Sequence, residues 1–207
     1  MPRRRGGRPH QFVERRFLTR GQLARLITEI PIAWRPFFDL LAVTGLRISE
    51  AIALRVMDLD AQLPAVRVRR AIVDGQLTIP KSRYGLRTVP IPPRLAAELS
   101  RFAAMREGGE DLLFRGPQGG PVRPNNLRQR VLVRAAERAG VPWARFHTLR
   151  HTCASLLAEA GAGPIRLQRW MGHHSAGFTL DTYGHLIDGD LGPGLDLSLQ
   201  LTAPTSR

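Results

Sequence analysis

Between His147 and Tyr183 the chain gathers most of the side chains that could move a phosphoryl group. It reads His147-Thr148-Leu149-Arg150-His151, then Trp170-Met171-Gly172-His173-His174, then Leu180-Asp181-Thr182-Tyr183. Five of the six histidines fall between His147 and His185, and one of the two tyrosines closes the stretch. On a helix His147 and Arg150 lie three positions apart and share a face. A phosphodiester held there meets a guanidinium fork, which binds phosphate oxygens two at a time and stays charged. An imidazole stands beside it, and a phenol further on could attack the phosphorus. Tyrosine, histidine and arginine together point to phosphoryl transfer without a metal or other cofactor.

The composition agrees with a phosphate-rich partner. The chain has 207 residues and a formal net charge of +14, which points either to a polyanion or to a merely basic, solubilising surface. Its apolar content of 43% suits a folded chain. Every basic side chain is arginine except Lys81, so that one lysine asks for an explanation. A lone cysteine, Cys153, excludes a disulfide framework or a zinc cluster within the chain and fits a reducing cytosol. The basic start has no apolar signal-peptide core, and no run approaches the roughly 18 apolar residues of a membrane span. The expected location is cytoplasmic.

The elements that must position these residues follow from pattern. Thr19 predicts an N-cap for a helix through Leu23, Leu26 and Ile27, which Pro31 ends. A second helix starts near Ala33, with Phe37, Leu40 and Leu41 at core spacing. Gly45 closes it, and Ser49 or its neighbours begin another with Ile48 and Ile52 inward. Arg47 sits at that turn. With Glu50 three residues on, it is either an ordinary surface ion pair or a guanidinium held in orientation.

From Ala65 the period changes to two. Strands are predicted over 65–73, 77–79 and 88–91, with Asp74-Gly75 as the hairpin turn. The fold class is mainly α with a small three-stranded antiparallel β-sheet (α+β). Lys81 and Arg83 fall in the turn between the second and third strands, from which a long ammonium arm could reach DNA. A helix capped by Asn125 or Asn126 runs to about Arg138. Its Arg128, Arg130, Arg134 and Arg138 either track a DNA backbone or are only solvated. The His147 helix buries Leu149, Cys153, Leu156 and Leu157, so Cys153 reads as a small core residue. Pro164 opens the next helix, and Gly172 turns the chain before His173.

Residues 1–17 form a basic arm that either lies along DNA phosphates or links to a preceding domain. Beyond Tyr183 the chain turns acidic, and Leu195, Leu197, Leu199 and Leu201 alternate with polar residues, a strand pattern with no partner in view.

With these pieces placed, the sequence resembles the catalytic domain of the tyrosine recombinases, the phage-integrase family. Thr44-Gly45-Leu46-Arg47-Ile48-Ser49-Glu50 looks like the family's first arginine box. Lys81, ahead of a strand ending in Val89-Pro90, looks like its β-hairpin lysine. His147-Thr148-Leu149-Arg150-His151 looks like its His-x-x-Arg box. Met171-Gly172-His173-His174-Ser175, followed by Tyr183, looks like its last box and nucleophile. The four occur in order at family-like spacing over roughly residues 17–186.

The resemblance implies site-specific cleavage and rejoining of double-stranded DNA through a 3′-phosphotyrosine, with no metal or cofactor. It implies that Tyr183 is the nucleophile and that Arg47 and Arg150 stabilise the non-bridging oxygens. Lys81 would protonate the departing 5′-oxygen, His173 would hydrogen-bond the phosphate and His147 would assist proton transfer. Glu50, His151 and His174 would support these residues from behind. The implied partners are DNA and, on DNA, a tetramer of this chain that is a monomer when free.

The implied domain spans 18–186, and the tail, 187–207, would dock on a neighbouring protomer. The family's N-terminal core-binding domain is absent from this stretch, so weak, salt-dependent DNA binding is expected. Two other readings stay open: a truncated, non-catalytic DNA-binding relative, and a type IB topoisomerase-like enzyme.

Overall fold

The computed structural model describes residues 17–60, 62–79, 85–173 and 177. Lys81, Arg83, His174 and Tyr183, the arm before residue 17 and the tail of 187–207 lie outside the described residues.

The chain opens on α1 (Arg20–Glu29), capped as the sequence predicts. Thr19 accepts the backbone N–H of Gln22, and the Gln22 side chain accepts that of Thr19. A 3-10 turn over Ile32–Trp34 leads into α2 (Arg35–Thr44), whose Phe37, Phe38, Leu40 and Leu41 are all fully buried. Phe37 meets Phe114 edge-on at 4.9 Å between ring centres, so α2 anchors the main core.

A short helix, α3 (Ile48–Ala51), follows, and then the strands β1 (Ala65–Val68), β2 (Ala71–Val73), β3 (Gln76–Thr78) and β4 (Arg87–Pro90). The mixed α and β class stands, but the single three-stranded sheet does not. Among the described strands β1 pairs with β4 and β2 with β3, each antiparallel, and Leu59 adds an isolated bridge to Val66. The predicted run 65–73 breaks at Arg69-Arg70, where the Arg70 guanidinium turns to the buried Asp58 carboxylate at 2.7 Å. β2 and β3 then form their own hairpin, with positive φ at both Asp74 and Gly75.

Helix α4 (Pro93–Ala104) buries Leu95 and Leu99. The next helix has α-helical ends, α5 (Pro124–Leu127) and α6 (Val133–Arg138), around a π turn at Arg128–Leu132. It starts at Pro124, not at an asparagine cap. Proline is preset for the first helical position, where its missing N–H is no loss.

Helix α7 (Phe146–Glu159) is the central element. It is buried at Thr148, Leu149, Arg150, Thr152, Cys153, Ala154, Ser155 and Ala158, while Leu156 and Leu157 are only half-buried. Its small residues let α2 and α8 (Pro164–Met171) pack close. Cys153 is buried in the α7–α8 core, and burial pushes its thiol up to about 12, in keeping with a core role. Among the described residues no helix is long and apolar enough to cross a membrane.

Candidate active site

Two turns meet at Arg150, in the N-terminal half of α7. The first leaves α2 through Gly45, which adopts left-handed backbone (φ 62°) and donates its N–H to Leu41. A Cβ there would lie 2.8 Å from the Met171 sulfur and 3.3 Å from the Cys153 sulfur. The Gly45 carbonyl accepts a 2.5 Å hydrogen bond from Arg150. Gly45→Ala is therefore expected to cost about 1–2 kcal/mol, chiefly from the left-handed backbone. Thermal unfolding would read this, and an unchanged Tm would show that the turn relaxes freely.

Arg47 precedes α3. Its backbone N–H donates to Glu50 Oε2 at 2.8 Å and its guanidinium to Glu50 Oε1 at 3.2 Å, while the side chain stays 43% exposed. Glu50, by contrast, is 5% exposed, so this is no ordinary surface ion pair. Its second partner is Arg87, which grips both carboxylate oxygens at 2.9 and 3.0 Å and is itself 6% exposed. Burial alone would raise the Glu50 pKa. The hydrogen bonds and charge of Arg87, then of Arg47, hold it below the usual value, so the carboxylate is charged.

Arg87 was not among the residues singled out from sequence. Strand alternation offered a signal, because Arg87 shares a face with the buried Val89.

Arg150, on α7, is 93% buried. It donates to the Gly45 carbonyl and, at 2.5 Å, to the Met171 carbonyl in the last turn of α8. Gly172 then turns the chain with left-handed backbone (φ 65°), and His173 follows with its N–H on the Gln168 carbonyl. His173 is buried. Burial first, then the charges of Arg150, Arg47 and Arg87, push it down to about 3, so the ring is neutral.

His147 stands at the open side. Loss of water on its packed side, then Arg150 and Arg47, hold it below the usual histidine value. His151 lies edge-on to His147 with ring centres 6.1 Å apart. Arg47, His147, Arg150 and His173 thus share one electrostatic site, with Glu50 behind it.

The neutral His173 makes an acid-sensitive fold. Its pKa is lowered on folding, so its stabilisation is complete above the unfolded value near 6.5. It is lost as pH falls toward about 3. Between pH 7.5 and 5 the cost is about 2 kcal/mol. Urea unfolding at both pH values should show it, and His173→Gln should flatten the dependence by that amount.

The DNA-contact candidates Arg128, Arg130 and Arg134 sit on the α5–α6 helix. Arg130 and Arg134 are exposed and Arg128 is half-buried. Arg138 leaves the row, since its guanidinium is bonded to the Glu29 carboxylate and carbonyl. Arg130 also borders a cavity of about 540 Å³ with Trp34, Arg123 and Asn126. Among the described residues no three His, Cys, Asp or Glu side chains gather as a metal site.

This fold is shared with known proteins. A Mycobacterium tuberculosis protein named as a prophage phiRv2 integrase is 35% identical over 180 residues, 83% of this chain and 47% of that protein. The Tn1549 transposon integrase, solved in complex with a circular intermediate DNA, superposes with a TM-score of 0.72 at 25% identity, over 81% of this chain and 61% of that one. The catalytic domain of bacteriophage HP1 integrase has the same fold, with a TM-score of 0.61 at 20% identity, over 90% of this chain and 94% of that one. The chain spans about half the length of the curated relatives it matches. A model of the phage integrase family matches residues 16–189, and the chain belongs to that family.

Proposed function

We propose that this chain is the catalytic part of a site-specific DNA recombinase of the integrase type. One observation carries the reading: Arg150, on the same helix as His147, ties the turn that leads to Arg47 to the end of the helix that leads to His173, with the buried Glu50 carboxylate behind Arg47. In this reading the Tyr183 oxygen attacks a DNA phosphorus, and the bond from phosphorus to the 5′-oxygen breaks. The neutral His147 can take up the phenol's proton, and Lys81 gives one to the departing 5′-oxygen. A lysine can be tuned to lose its proton near neutral pH, which an arginine cannot. Arg47 and Arg150 stabilise the charge that builds on the non-bridging oxygens, and neutral His173 donates a hydrogen bond to one of them. The bond energy is kept in the phosphotyrosine, so rejoining needs no external energy source.

The implied partner is double-stranded DNA, in keeping with the DNA present in the Tn1549 integrase complex. Arg128, Arg130, Arg134 and Arg83 are proposed as backbone contacts. Assembly as a tetramer on DNA, with residues 187–207 docked on a neighbour, belongs to the same proposal.

The test is covalent trapping on a nicked duplex taken from the flanks of the gene, whose short cleaved strand diffuses away. A protein–DNA adduct is expected from the unaltered chain and none from Tyr183→Phe. DNA binding without an adduct would move the reading to a binding module that occupies sites without turnover.

A further inference from the structure

Arg87 is the first residue of β4, and three of its guanidinium nitrogens are committed. Two hold the Glu50 carboxylate as a fork, at 3.0 and 2.9 Å, and Nε donates to the Trp170 carbonyl at 2.9 Å. The planar fork suits this task, since lysine could satisfy only a point of it. Both contacts lead to the site. Glu50 is the group that holds the Arg47 guanidinium and caps its backbone N–H. Trp170 lies in the last turn of α8, where helix carbonyls lack intrahelical donors. Arg87 takes the Trp170 carbonyl and Arg150 takes the next, Met171. Two arginines from different elements therefore cap α8 side by side. The Gly172 turn that delivers His173 begins there.

We propose that Arg87 is a positioning residue for strand cleavage, keying Arg47 through Glu50 and His173 through the capped end of α8. This rests on the recombinase reading above. A buried ion pair is weak grounds for stability alone, because desolvation offsets much of its attraction. What the fork supplies is orientation. It joins α3, β4 and α8, elements separated by 37 and 83 positions along the chain. A displacement of about 1 Å at a reacting group is enough to cost about 100-fold in rate.

The experiment is single-turnover adduct formation on the nicked duplex, with DNA affinity and Tm measured on the same proteins. In Arg87→Met the adduct rate at saturating DNA should fall about 100-fold, with affinity changed less than about 3-fold. In an Arg47→Lys background the same change should have a much smaller effect, because the residue it positions is already altered. Arg87→Lys keeps the charge and should recover part of the rate. If Arg87→Met does not fold, Arg87→Lys carries the test, with a fall of about 10-fold expected at unchanged affinity.

Wild-type rates in Arg87→Lys and Arg87→Met would overturn the proposal. So would equal losses in rate and affinity, or effects that multiply independently with Arg47→Lys. An unaltered chain that binds DNA without forming an adduct counts against the recombinase reading instead. Histidine NMR then decides on Arg87 separately. Arg87→Met or Arg87→Lys should shift the His173 resonances at pH 7, and unshifted resonances would overturn the positioning role.

Discussion

Replacing Glu50 with glutamine is expected to lower the unfolding free energy by about 3–5 kcal/mol, the usual cost of breaking a buried ion pair from one side. Both partners are almost wholly out of water, at 5% and 6% exposure, and the contact is a two-bond fork. Glutamine keeps one acceptor but turns an amide N–H₂ toward a guanidinium that has only donors. The Arg87 charge is then buried without its counter-ion. Removing both, as Glu50→Met with Arg87→Met, should restore part of the loss, since neither charge then needs solvating but the Trp170 carbonyl and the Arg47 N–H lose their partners.

The pH dependence has a definite sign. The folded Glu50 pKa is depressed, so its stabilisation is present above the ordinary carboxylate range and fades as pH falls through the folded value. The gap between the unaltered protein and Glu50→Gln should therefore narrow in acid. Urea unfolding across pH would read all of this. A gap below about 1 kcal/mol at neutral pH would place the pair among ordinary exposed ones.

Glu50 also marks where sequence reading stops. That it should neighbour Arg47 follows from a spacing of three at a helix start. That it is buried follows only from Arg87, which comes 37 positions later on a strand. Pattern reading treats an arginine as surface by default, and nothing local marks this one except the alternation it shares with Val89. The same limit explains Arg138, whose partner Glu29 is 109 positions away. It also explains the divided sheet, where the Arg70–Asp58 contact ends a run that alternation alone would continue.

What was legible depends on short-range chemistry: the Thr19–Gln22 box, the left-handed turns at Gly45 and Gly172, and the Asp74-Gly75 hairpin. The pairs Arg47–Glu50 and His147–Arg150 were legible for the same reason, because each lies within one helical turn. How the boxes meet is set by long-range contacts to backbone carbonyls, and no periodicity records those.

Arg150 is the strongest case of such a contact. On the proposed recombinase reading, Arg150→Lys is expected to reduce adduct formation about 10²–10³-fold, the range seen when one preorganised donor is lost from a transition state. The charge survives the substitution, so a loss of this size would have to come from geometry. Arg150 reaches two carbonyls at once, Gly45 at the end of α2 and Met171 at the end of α8, each at 2.5 Å. An ammonium group has no planar fork and cannot span both with the same directions. At least one buried carbonyl then loses its donor, for about 1–3 kcal/mol of stability. The turns carrying Arg47 and His173 then lose one of the ties between them, and only the Arg87 tie remains among those described.

On the same reading DNA affinity should change far less, because a chain of net charge +14 offers many other basic groups to the phosphates. Adduct kinetics at saturating DNA, set beside a salt titration of binding, separate the two. A rate within about 3-fold of the unaltered protein would mean that charge alone is what Arg150 supplies. The two carbonyl contacts would then hold the fold and not the chemistry.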